Sequence, residues 1–213
     1  MYLSKLILNP FRKDVCVDTR NCQQMHKRLL SAFPVVEGID GKARQHFGVL
    51  YRLEDSKKEY TVLVQSKEKP NWDALPIDYL LLKAVVIEID SRISKAKNGS
   101  IFRFKLCANP TVKEFESAKR QTITKEEDLF EWLKRRSMMN GFKVFENEKG
   151  TPRVLVSRED THGYKSAKMS FSSVTFEGIL KVTDEEKFQN VVKEGIGTGK
   201  AYGHGLISFV PVG

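Results

Sequence analysis

Residues 195–205 hold five glycines in eleven positions: Gly195, Gly197, Gly199, Gly203 and Gly205, with Lys200, Tyr202 and His204 among them. Such a backbone reaches φ > 0 repeatedly and approaches a ligand with no side chain intervening. It is not a mononucleotide loop of the Walker kind. Ala201 follows Gly199-Lys200 where that loop needs Ser or Thr, and Glu194 stands where its first glycine belongs. The order of elements is also reversed. Thr183 and Glu186 have capping-box spacing and open a helix carrying Phe188, Val191 and Val192; Gly195 ends it, and Leu206–Val210 reads as a strand. A helix that runs into the glycines presents its C-terminal end to them, not the positive end that holds a triphosphate. The stretch therefore reads as a helix-to-strand turn that can touch a phosphate backbone, or as a plain connector.

Two passes of the same element order precede and include this turn. Residues 2–8 read as a strand stopped by Asn9-Pro10, and a loop follows to about Asp18. From Thr19 or Arg20 to Phe33, apolar residues at 22, 25, 29, 30, 32 and 33 keep helical spacing, with Arg20, Lys27 and Arg28 on the other side and Pro34 as the stop. Residues 47–53 and 60–65 read as a hairpin, 72–83 as a poor helix interrupted by Pro76, and 84–89 as a strand. After the polar linker 94–100 the order restarts. Ile101–Leu106 alternates as a strand, Thr124 with Glu127 has capping-box spacing before a helix that ends at Gly141, and strand patterns follow at 142–146, 153–157 and 169–182. The chain thus reads as α+β, two tandem ferredoxin-like (βαββαβ) domains over 1–92 and 93–213.

With 36 Lys+Arg against 27 Asp+Glu, the net charge of +9 favours a polyanionic partner, nucleic acid first. No apolar run is long enough to span a membrane and no signal-peptide core opens the chain, so a soluble, cytoplasmic protein with no membrane partner is expected. Cys16, Cys22 and Cys107 form neither a disulfide framework nor zinc spacing, and no metal or cofactor is expected. His26 falls inside the apolar arc of its helix, which suits a packed core residue; Lys27 and Arg28 beside it supply a cationic field that lowers an imidazole pKa and suits a base. The segment 158–168, with Arg158, Lys165 and Lys168 about a central Gly163, is either a basic hairpin tip that enters a nucleic-acid groove or a solvated loop. Phe102 and Phe104 are either a base-stacking platform or core.

Several phrases together resemble the CasE endoribonucleases, the CRISPR repeat-processing subunits of the type I-E Cascade complex. These are Met1–Pro10, the Met25-His26 pair, Phe102–Pro110, Phe176-Glu177-Gly178, and Gly195–Ala201 followed by Gly203 and Gly205–Ser208. The resemblance runs end to end. It implies two ferredoxin-like domains that bind the stem-loop of a CRISPR repeat and cut its 3′ side without a metal, the RNA's own 2′-hydroxyl attacking to leave 2′,3′-cyclic phosphate and 5′-hydroxyl ends. It also implies a protein that is monomeric alone and joins other Cascade subunits. His26 aligns with the family's catalytic histidine. Lys27, Arg28, Arg158, Lys165, Lys168, Gly197, Gly199 and Lys200 are the expected RNA contacts. Gln23 stands where the family carries a tyrosine; an amide hydrogen-bonds but moves no proton, so Gln23, Lys27 and Tyr202 are the candidates for catalytic support. A scaffold of the same fold that binds CRISPR RNA without cutting it is the alternative.

Overall fold

The computed structural model describes residues 1–38, 42–56, 59–113, 120–161 and 171–212. The chain divides into two compact units. One comprises Met1–Ser91 and Lys200–Gly203; the other is drawn from residues 92–161, 171–199 and 204–212. The glycine-rich turn, which lies within 93–213 by sequence, is therefore shared between the two.

In the first unit β1 (Tyr2–Leu8) is followed by α1 (Lys13–Thr19), α2 (Cys22–Leu30) and the short α3 (Ala43–His46). Then come β2 (Leu50–Ser56), β3 (Glu59–Ser66), a 3₁₀ turn at Trp72–Ala74 and β4 (Val85–Glu88). The sheet order is β2-β3-β1-β4 with every pair antiparallel. Ser4, Leu6 and Leu8 alternate inward along β1, and Leu6 lies opposite Val62. Leu6 and Leu8 pack with Val15, Met25, Leu29, Phe47 and Tyr79 into one core. The buried Trp72 indole donates to Ser4 Oγ at 2.9 Å, which satisfies both polar groups.

A short α4 (Asp90–Ser94) leads on to β5 (Ile101–Ala108) and the ribbon β6 (Thr111–Lys113) with β7 (Arg120–Thr122). Then follow α5 (Glu126–Met139), β8 (Phe142–Val144), β9 (Val154–Thr161), β10 (Phe171–Val182), α6 (Glu185–Glu194), a 3₁₀ turn at Lys200–Tyr202 and β11 (Ile207–Pro211). The second sheet runs β11-β5-β10-β8, with β9 also on β10. β8 pairs with Leu180–Val182 and β9 with Phe171–Gly178, so the two together fill one strand position beside β10. Each unit thereby repeats the 4-1-3-2 antiparallel order of a ferredoxin-like fold.

Local expectations fail in four places. Residues 13–19, expected as loop, form α1. The helix expected from Thr19 or Arg20 to Phe33 runs from Cys22 to Leu30; it starts at Cys22 because the Asn21 side chain accepts from the amides of Gln23 and Gln24 and sets its first turn. Neither capping box forms. Lys125 precedes α5 with no side-chain cap, while Asp184, not Thr183, caps α6 by accepting from Lys187 N. The amides of Thr183 and Asp184 both donate to Gly141 O, which holds the chain extended until Asp184. The helix expected over 72–83 is only the turn at 72–74, since Pro76 breaks it and Leu81 N donates to Ile7 O. Phe102 and Phe104 face inward, stacked or edge-on against Phe188 and Phe142, and are core.

Candidate functional site

The helix α2 carries Gln23, His26, Lys27 and Arg28. Met25 and Leu29 are its buried positions, so His26, one residue past Met25, lies at the rim of the apolar arc and is half-buried. Its Nδ1 is enclosed and has no hydrogen-bond partner among the described residues. Desolvation, and secondarily the charge of Arg44, lowers its pKa below the ordinary imidazole value. The neutral form, with a free lone pair, thus predominates at pH 7.

The cationic field comes from Arg44 in α3 rather than from the neighbours that sequence suggested. Lys27 is exposed. Arg28, expected as an RNA contact, turns back to Asp18 at 2.7 Å and lies 5.0 Å over the Tyr79 ring. Tyr79 donates its hydroxyl to the same carboxylate oxygen at 2.9 Å, and burial and Asp18 push its pKa up. Asp18 and Arg28 therefore tie α1 to α2.

The Lys200–Tyr202 turn packs against α2 and β2 within the same unit. Tyr51 of β2, 2% exposed, donates its hydroxyl to Cys22 O at 3.1 Å, in the first turn of α2. Gly203 lies on the other flank of that ring; a β-carbon there would be 3.2 Å from Tyr51 Cε2. The helix that carries Gln23, His26 and Lys27 thus packs against the turn that carries the half-buried Lys200 and Tyr202.

The base of the turn belongs to the second unit. Ile196 N donates to Gly205 O, Gly205 N donates to Cys107 O, and Thr198 bridges to Asn109. Gly197, at φ +78°, lies against the Trp132 indole. Gly199, at φ +75°, lies against the buried His204. His204 Nδ1 is 3.3 Å from Gly199 O, which can only accept, so Nδ1 carries the proton and Nε2 accepts from Ser173 Oγ at 2.8 Å. Burial drives the His204 pKa down to about 4. His204 therefore closes the base of the 200–203 excursion as a neutral imidazole.

Arg158 is exposed on β9, opposite Val174, and Lys165 and Lys168 lie outside the described residues. Among the described residues no group of three His, Cys, Asp or Glu side chains is placed to hold a metal ion. No helix among the described residues is long and apolar enough to cross a membrane. Sequence reading missed Arg44; the cue was a basic residue in the short amphipathic segment ending at Phe47, too brief for periodicity to register.

Two ferredoxin-like units, and a helix that bears a desolvated histidine and packs against the Lys200–Tyr202 turn of its own unit, define the class: a paired ferredoxin-like protein with a glycine-rich turn. The chain belongs to the CRISPR-associated protein family, whose profile, described as "CRISPR associated protein", matches residues 1–211. It is 32% identical to the CRISPR-associated endoribonuclease Cse3 of Thermus thermophilus over 99% of this chain and all of that one. It is 26% identical to the CRISPR system Cascade subunit CasE of Escherichia coli over the full length of both. A solved structure of Thermus thermophilus Cse3 bound to an RNA representing a pre-cleavage complex superposes with a TM-score of 0.84 at 30% identity, covering 99% of this chain and 98% of the other.

Proposed function

We propose that this chain is the endoribonuclease that binds the stem-loop of a CRISPR repeat and cleaves precursor CRISPR RNA to mature guides, in the cytoplasm, as a subunit of Cascade. The observation that carries the reading is His26: a neutral imidazole with an unpartnered Nδ1, on the helix that receives Lys200–Tyr202. The Thermus relative named as an endoribonuclease aligns over its whole length.

In this reading the 2′-hydroxyl 5′ of the cut loses its proton and attacks the adjacent phosphate in line, the P–O5′ bond breaks, and the departing 5′-oxygen takes a proton, leaving 2′,3′-cyclic phosphate and 5′-hydroxyl ends. His26 takes or returns a proton in that transfer, a role worth about 10²–10⁴-fold. Lys27, Lys200 and the Arg44 charge offset the negative charge that gathers on the phosphate. Gln23 can hold a phosphate or hydroxyl by its amide but cannot replace a tyrosine in proton transfer. Arg158, Lys165 and Lys168 bind the stem, and the backbone at Gly197 and Gly199 meets the strand.

The test is incubation of the purified chain with repeat RNA from its own array. Cleavage that persists in EDTA, stops when the nucleotide 5′ of the cut lacks its 2′-hydroxyl, and leaves a cyclic phosphate is the expected result. Tight binding of the repeat without cleavage would overturn the enzyme reading in favour of a scaffold. Equal affinity for a scrambled hairpin at physiological salt would remove the recognition claim, since backbone contacts alone carry no sequence information.

A further inference from the structure

The last turn of α5 and the edge strand β8 bound a groove of about 590 Å³ in the second unit, whose walls include Ile101, Met138, Phe145, Lys143 and Lys181. Ile101 is 42%, Phe145 41% and Met138 71% exposed. The sequence pattern puts them there. Leu129, Trp132 and Leu133 turn one face of α5 to the core, and Met138 falls off that face. Phe142 and Val144 point inward from β8, so Lys143 and Phe145 point the other way; Phe145 N donates to Ile179 O and keeps the extended register. Single exposed apolar residues are ordinary, but three around one concavity mark a contact surface.

The charge around the groove has one sign. Lys143 lies opposite Lys181, and Lys181 opposite Ile101, so one register row across β8, β10 and β5 reads Lys, Lys, Ile. Like charges directly opposite each other destabilise a strand pair. Among the described residues neither lysine is held in an ion pair, and the acidic residue of the groove, Glu146, is taken by Lys134 at 3.3 Å. The internal undescribed stretches of this unit leave the sheet at its other end. One follows Thr161, which pairs with Phe171; from Phe171 to Lys181 is about 33 Å of strand. The other lies in the ribbon beyond Ala108, at the opposite end of β5 from Ile101.

We propose that this groove docks a partner protein through an acidic amphipathic segment, whose apolar side chains enter between Met138, Phe145 and Ile101 and whose carboxylates meet Lys143 and Lys181. A phosphate backbone would satisfy the lysines but gain nothing from the apolar wall, whereas such a segment matches both. The unbranched thioether of Met138 suits the role, since it adapts its shape to an incoming side chain. The surface goes beyond RNA cleavage and uses none of the residues assigned to it.

Methionine methyl groups report on the groove directly. The chain has five methionines; with ¹³C-methyl labelling Met138 is the reporter, and Met25, 1% exposed in the core of the first unit, is the reference. The probe is a synthetic helical peptide with leucines on one face and glutamates on the other, and its counterpart carries lysines in place of the glutamates. The glutamate peptide should move the Met138 signal and leave Met25 in place, while the lysine peptide moves neither. Lys143→Glu combined with Lys181→Glu should weaken the glutamate peptide by about tenfold or more and confer binding of the lysine peptide. That gain cannot come from misfolding. Phe145→Ala should weaken the glutamate peptide with affinity for repeat RNA unchanged. A Met138 signal that stays still with the glutamate peptide, or moves equally with both peptides, overturns the docking site. So does movement of Met138 by repeat RNA in competition with the peptide, which would assign the groove to nucleic acid. Should the glutamate peptide bind as expected to a chain that does not cleave its repeat, the groove stands and the nuclease reading falls.

Discussion

Gly203 rests on the ring of Tyr51 so closely that a β-carbon would sit 3.2 Å from Cε2, and its φ of +89° already excludes most side chains. Because Tyr51 also donates to Cys22 O, the ring transmits the position of the turn to the first turn of α2. Gly203→Ala should therefore displace Lys200–Tyr202 from α2 and slow single-turnover cleavage more than it weakens RNA binding. The strain of a left-handed alanine, about 1–2 kcal/mol, should lower Tm by roughly 2–8 °C. Parallel melting and cleavage assays check both; unaltered cleavage would detach the turn from the reaction.

His26→Ala should lower the cleavage rate by about 10²–10⁴-fold with repeat affinity kept, as measured by single-turnover kinetics and fluorescence anisotropy. Gln23→Ala should cost less, and Gln23→Tyr should raise the rate by adding a phenolic proton donor. The acid limb of kcat/KM should fall below the ordinary histidine range, because burial and Arg44 both disfavour the imidazolium. Arg44→Gln should shift that limb upward.

The first strand of each unit was legible because the period-2 alternation of Ser4, Leu6 and Leu8, and of Phe102, Phe104 and Leu106, marks one buried face in each. The helix starts were less so. Thr124 and Thr183 have the right spacing for capping, but spacing does not reveal that Asp184 N and Thr183 N are already committed to Gly141 O. His26 was legible as a candidate and ambiguous as a role, since periodicity places it at the rim where a core residue and a base look alike. What supports the proposed base is tertiary: an orphaned Nδ1 and a charge from Arg44, eighteen residues away. Arg28 shows the converse, a basic residue on a basic face that tertiary packing turns inward to Asp18.

His204 makes stability depend on pH. Its folded pKa of about 4 lies below the ordinary value of 6.5, so the unfolded chain binds the extra proton first as pH falls. Stability is full above pH 6.5 and declines between 6.5 and about 4, by a total on the order of 3 kcal/mol. Imidazolium formation would also leave Nε2 donating toward Ser173 and break its present role as acceptor. Denaturant melts should show this decline, and His204→Asn, which keeps a donor toward Gly199 O, should flatten it. A wild-type slope in that variant would assign the decline to other groups.

Gly197 and Gly199 should respond differently to substitution, although sequence treats them alike. At Gly199 a β-carbon would fall 2.9 Å from His204 Nδ1 and push the imidazole off its carbonyl, so Gly199→Val should lower Tm as well as RNA affinity. At Gly197 the nearest atom is Trp132 Cζ2 at 3.4 Å, so Gly197→Ala meets tight but not prohibitive contact and mainly pays the left-handed backbone, about 1–2 kcal/mol. Gly197→Ala should stay folded while losing affinity for the repeat stem-loop, because its methyl group stands between the backbone and an approaching phosphate. Melting curves paired with anisotropy titrations separate the two effects. Undiminished affinity in folded Gly197→Ala would make this turn a connector and leave recognition to the basic side chains.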